Sequence, residues 1–97
     1  MTGQEFAIGA VVGERRAQDR KWGEQNHGPL VWLAVLSEEV GEASEAILKN
    51  DPDAFRAEMI QVAAVALAIV ECADRHMLDH GTHAMVRWWR DAGDRMA

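Results

Sequence analysis

Glu38, Glu39 and Glu42 form one acidic block, and Glu58 with Gln61 forms a second at the head of a strongly apolar run. Helical side chains turn by about 100° per residue, so Glu39 and Glu42 project side by side, as do Glu58 and Gln61. If the helices carrying the two blocks pack antiparallel, Glu58 meets Glu39 and Glu42. Carboxylates crowded in this way repel one another, and a cation makes the cluster tenable. Oxygen donors alone, with no Cys or His among them, suit Mg²⁺ or Mn²⁺ better than zinc. Such an ion in a small helical protein points to phosphate chemistry.

A solvated helix face is the alternative for Glu38, Glu39, Glu42 and Glu45. It accounts neither for Glu39 beside an apolar stripe nor for Glu58 at the head of an apolar helix. For Gln61, a core amide with satisfied hydrogen bonds stands beside a place in the site.

Four helices are expected to position these residues, with no repeat and no strand-like alternation of useful length. The first runs from about Gln4 to Lys21. Trp22 to Pro29, with two glycines and a proline, reads as a loop. The second helix starts near Pro29, which suits a first turn, and ends near Asn50. Leu33, Leu36, Val40, Ala43 and Ile47 make its apolar stripe. Glu39 borders that stripe and Glu42 lies one step further round, which selects these two as inward-facing. Gly41 costs about 1 kcal/mol inside a helix, and a close approach by backbone or ligand accounts for it. Asp53 is the expected N-cap of the third helix, which runs to about His80 and stops at Gly81. The last helix spans Thr82 to Met96.

Ninety-seven residues, 48% of them hydrophobic, make one domain (1–97) with a modest core of its own. Only Pro29 and Pro52 interrupt the helices. A net charge of −6 argues against a nucleic-acid polymer as partner, since that requires a basic surface. The single Cys72 excludes an internal disulfide and, inside an apolar helix, reads as a small buried hydrophobe. The N-terminus lacks the pattern of a signal peptide, and the apolar run from Val62 to Val70 is too short to span a bilayer. A soluble, cytoplasmic protein is expected. Met59 to Val70 is apolar on every side except at Gln61, which implies burial all round and hence self-association.

The two acidic blocks, with Glu58 sixteen residues after Glu42, and the segment from Gln18 to His27 with its Trp-Gly-x-Gln-Asn-His loop resemble the MazG-like family. These are all-α nucleoside triphosphate pyrophosphohydrolases related to dimeric dUTPases, with a phage-borne subgroup. The likeness spans roughly Glu14 to Glu71. It implies cleavage of a (deoxy)nucleoside triphosphate between its α and β phosphates, giving the monophosphate and pyrophosphate. It also implies Mg²⁺, with Mn²⁺ as a substitute, held by Glu39, Glu42 and Glu58. Glu38 matches a catalytic carboxylate that supports the ligands or orients water. Gln61 matches the fourth ligand position, where the family carries aspartate; an amide oxygen either coordinates the ion without adding charge or hydrogen-bonds a metal-bound water.

Trp22, in a glycine-rich loop, is a candidate to stack on a nucleobase with Asn26 and Gln18 reading its edge, a role the family likeness favours. Lys21 and Arg16, near the same end, are candidates to meet phosphates. The plain readings are a core tryptophan and a charged helix end. The family's C-terminal phosphate contacts have no clear match after Asp74, and Arg75, Arg87 and Arg90 are candidates. The implied architecture is a four-helix bundle completed by oligomerisation, as a homodimer or homotetramer, with no membrane partner. The alternative is a catalytically weakened nucleotide-binding or regulatory relative in which Gln61 marks lost turnover; a purely structural helical oligomer is a third. His76, His80 and His83 have zinc-compatible spacings, but Gly81 disperses them, and surface histidines are the better reading. Trp88 and Trp89 divide between core and interface.

Overall fold

The computed structural model describes residues 1–78. Three helices account for most of them: α1 (Gly3–Trp22), α2 (Pro29–Leu48) and α3 (Pro52–Asp74), with no strand among the described residues. The expected Thr82 to Met96 helix lies outside the described residues. So do His80, His83, Arg87, Arg90, Trp88 and Trp89.

Local chemistry sets each helix end. Thr2 and Glu5 form a reciprocal capping box that starts α1. Pro29 opens α2 at a position where its missing N–H costs nothing. The cap of α3 is Asp51 rather than the expected Asp53: its carboxylate accepts from Ala54 N at 3.0 Å. Pro52, with its fixed φ, takes the first helical position and moves the cap one residue ahead of it.

Two helices end earlier than the sequence suggests, and for one reason. Asn50 (φ 54°) and His76 (φ 60°) adopt the left-handed conformation. Asp51 N then donates to Ala46 O, and Met77 N to Cys72 O, which closes α2 at Leu48 and α3 at Asp74. These are six-to-one closures that satisfy terminal carbonyls, here without glycine. His76 therefore ends α3, and the expected run to His80 does not form.

The middle of the fold is α3. Both α1 and α2 pack on it, while α1 and α2 barely meet. Trp32 packs with Val65 and Cys72, whereas Glu39 and Glu42 meet Glu58, so α2 and α3 run antiparallel. Cys72 is fully enclosed, as its place in an apolar helix suggests. The buried face of α2 is Trp32, Ala43 and Ala46, with Val35 and Leu36 half-buried. The stripe read from the sequence lies about a quarter-turn away. Leu33, Val40 and Ile47 from that stripe are exposed, Ile47 at 62%. The small Ala43 and Ala46 sit on the buried face, which leaves the bulkier aliphatics outside. Met59, Leu67 and Val70 on α3 are also exposed, so the described residues do not enclose this apolar helix on all sides. A Cβ on Gly41 would meet nothing within 4 Å, so no close approach to it occurs within the described chain. No described helix is long and apolar enough to cross a membrane.

Candidate metal centre

Because α1 and α2 meet α3 but barely each other, a cleft of about 750 Å³ remains between them, floored by α3. That volume suits a small-molecule ligand. On α2 the cleft receives Trp32, Val35, Glu39 and Glu42. On α3 it receives Glu58, Gln61, Val65, Ala68 and Glu71, with Arg75 from the cap that follows. The steps of three and four along each helix put these residues on one face.

Glu39, Glu42 and Glu58 can each place one carboxylate oxygen within 4.8 Å of the others. Ligands opposite each other on an octahedral Mg²⁺ are about 4.2 Å apart, slightly less than this limit, so small side-chain shifts bring the three oxygens into one ion's shell. Glu39 and Glu58 are half-buried, and each keeps one buried oxygen, Oε2, without a hydrogen-bond donor. A buried carboxylate oxygen without a donor is costly, and a cation removes that cost. Loss of solvation first, then repulsion from Glu42 and Glu58, pushes the Glu39 carboxyl up to about 7. The donor set and the partnerless oxygens both fit a hard divalent ion.

The surrounding charge has the same sense. Seven acidic side chains line the cleft (Glu14, Asp19, Glu24, Glu39, Glu42, Glu58 and Glu71) against three basic ones (Arg15, Lys21 and Arg75). Arg15 is already committed: Nε and Nη2 donate to the two Glu71 oxygens at 2.8 Å each, and Nη2 also donates to Asp19 at 3.0 Å. The guanidinium in turn holds the Glu71 carboxyl below its usual range. A polyanion entering this cleft therefore needs cations brought with it.

Gln61 lines the cleft one turn beyond Glu58, and its amide is held from α1. Gln18 Nε2 donates to Gln61 Oε1 at 3.2 Å, and Gln61 Nε2 donates to Glu14 Oε1 at 2.7 Å. Gln18 and Lys21 lie in the cleft wall. Trp22 lies there too, 60% exposed, with Lys21 Nζ 4.7 Å from its ring centroid. Asn26 is engaged elsewhere: its Oδ1 accepts from Arg75 Nη2 at 2.9 Å and from Nε at 3.2 Å, and its Nδ2 donates to Glu24. Asn26 and Arg75 thus tie the α1–α2 loop to the end of α3. Glu38 is exposed and does not line the cleft, because a 100° step from Glu39 carries it off the inner face. Arg16 is exposed and also outside the lining.

Sequence reasoning passed over Glu14, Arg15 and Glu71. Glu14, Gln18 and Lys21 recur at helical spacing, so a wheel drawn for α1 alone places them on one polar face. The ion pair from Arg15 to Glu71 joins residues far apart in sequence and left no local signal. Compared with known proteins, the chain matches no family model, no curated protein and no solved structure.

Proposed function

We propose that this chain is a magnesium-dependent nucleoside triphosphate pyrophosphohydrolase of the MazG-like kind, with Glu39, Glu42 and Glu58 as the metal ligands. The observation that carries the reading is the meeting of these three carboxylates across α2 and α3, with buried oxygens on Glu39 and Glu58 that have no donor. Bound Mg²⁺, or Mn²⁺ in its place, would neutralise triphosphate oxygens and activate water. The cleft's own excess of carboxylates requires such a cation before a triphosphate can enter. Trp22, exposed in the cleft lining beside Lys21, would stack on a base. Gln18 is reachable from the cleft, while Asn26 serves the loop through Arg75.

A second reading has its own observation. Gln61 engages both ends of its amide, with Gln18 and Glu14, and as an amide it adds no charge to the carboxylate cluster. This arrangement fits a nucleotide-binding protein without turnover. Pyrophosphate release, measured across a panel of ribo- and deoxynucleoside triphosphates with Mg²⁺, decides between them. Turnover that EDTA abolishes supports the enzyme; saturable nucleotide binding without turnover supports the second reading. No binding and no turnover would leave neither.

The same proposal includes assembly as a homodimer or homotetramer. Leu33, Val40 and Ile47 on α2 and Met59, Leu67 and Val70 on α3 leave aliphatic surface exposed that a second copy would cover. Light scattering at micromolar concentration is expected to give at least twice the chain mass. A stable folded monomer would contradict this.

A further inference from the structure

The hydrogen bonds that hold Gln61 have a direction fixed from one end. Arg15 has only donors, and its Nη1 donates to Gln18 Oε1 at 3.2 Å. The Gln18 amide is thereby oriented, so its Nε2 faces α3 and donates to Gln61 Oε1. Gln61 then has only its Nε2 to offer, and Glu14 Oε1 accepts it at 2.7 Å, within the range of a charge-assisted bond. One buried arginine thus sets the orientation of two amides and a carboxylate. Glu14 is half-buried in the cleft wall, and its second oxygen has no donor among the described residues.

Glu14 stands outside the group of three carboxylates that can share an ion, yet in the same cleft. Its anchor, Gln61, lies three residues beyond Glu58, a rise of about 4.5 Å along α3. A carboxylate at one remove from the metal ligands, held at one oxygen and open at the other, suits a water beside the ion better than the ion itself. Glu38, to which the family likeness gives that water, is exposed and outside the cleft.

We propose that Glu14 is the catalytic carboxylate that orients the attacking water and takes its proton, with Gln61 as the residue that positions it. The inference rests on the pyrophosphohydrolase reading of the cleft. In the step, the water oxygen bonds to the α phosphorus and the bond from that phosphorus to the α–β bridging oxygen breaks. Pyrophosphate leaves with the bridging oxygen, and the water proton passes to Glu14 and then to solvent.

The test compares Glu14→Gln, Gln61→Ala, Glu38→Gln and wild type in three measurements: pyrophosphate release, Mn²⁺ affinity by calorimetry, and thermal melting. Glu14→Gln is nearly isosteric and still accepts from Gln61, so the expected fold is that of wild type. Its kcat is expected to fall about 10²-fold or more, the usual contribution of a positioned base, with Mn²⁺ affinity unchanged. Gln61→Ala is expected to lower kcat by less, with KM and Mn²⁺ affinity unchanged. Near-normal kcat in Glu14→Gln overturns the proposal, and so does a larger loss in Glu38→Gln than in Glu14→Gln. A fall in Mn²⁺ affinity in Glu14→Gln or Gln61→Ala also overturns it, by making that residue a ligand. Wild type that binds Mn²⁺ but releases no pyrophosphate from any triphosphate overturns the parent reading along with it. An active wild type with an active Glu14→Gln overturns this inference alone.

Discussion

Glu58→Gln is expected to lower magnesium-dependent pyrophosphate release by more than about 10²-fold while helical content stays that of wild type. The residues behind metal ligands typically cost 10–100-fold when changed, and a ligand carboxylate costs more. Glutamine fills the same volume, so no cavity forms at the head of α3; what is lost is one of three charges that would face the proposed ion. The same loss of turnover is expected for Glu39→Gln and Glu42→Gln. Glu45→Gln, which removes a carboxylate outside the main cleft, is expected to keep its activity. Full turnover in Glu58→Gln would remove the cluster from the mechanism.

Stability moves the other way at Glu39, and the sign follows from its raised carboxyl. A group whose folded pKa is about 7, against 4.5 when unfolded, holds its proton more tightly in the fold. That preference stabilises the protein fully below pH 4.5 and is lost as pH rises towards 7. Metal-free protein at pH 8 therefore carries a repulsion that Glu39→Gln removes. Since Glu39 is only half-buried, solvent screening reduces the gain to the order of 1 kcal/mol. Metal binding requires the ionised form, so Mg²⁺ affinity is expected to weaken as pH falls below about 7. Melting curves in EDTA and in Mg²⁺ at pH 6 and 8 separate these effects. Destabilisation by Glu39→Gln at pH 8 without metal would show that the carboxylates are not crowded.

How much was legible follows from the range of each interaction. Pro29, the capping chemistry near Pro52 and the spacing of Glu39 with Glu42 are local, and they marked α2, α3 and the inner carboxylates. The rotation of α2 was not local. Its apolar residues cover more than one face, and only contact with α3 decides that Trp32, Ala43 and Ala46 go inward while Val40 and Ile47 stay out. The end of α3 was misplaced because a histidine, not a glycine, takes the left-handed position. Glu58 was reachable by assuming an antiparallel pair. Glu14 was not, since its place in the cleft depends on how α1 lies along α3, where the ion pair of Arg15 with Glu71 ties the two helices.

Arg15→Leu is expected to cost about 2–4 kcal/mol. Removing one partner of a fully buried pair typically costs 3–5 kcal/mol, because the other charge stays unpaired. Here the Glu71 side chain is 37% exposed, so part of its charge can be resolvated and the loss is smaller. For a chain of this size the melting temperature should fall by about 10–20 °C. The damage reaches the cleft as well. Arg15 fixes Gln18, Gln18 fixes Gln61, and Gln61 holds Glu14, so the α1 wall of the site loses its orientation together with its main tie to α3. Replacing both partners, as in Arg15→Leu with Glu71→Leu, removes the unpaired charge and should recover most of the stability, as apolar substitutes for buried ion pairs often do. It should not recover turnover, because no donor then fixes Gln18. Thermal melts of the two single variants and the double, with pyrophosphate release measured on each, test both halves. A double variant as unstable as Arg15→Leu would show that packing of the arginine stem, not the unpaired charge, holds α1 in place. A stable double variant with wild-type turnover would show that the orientation of α1 side chains does not matter to the chemistry.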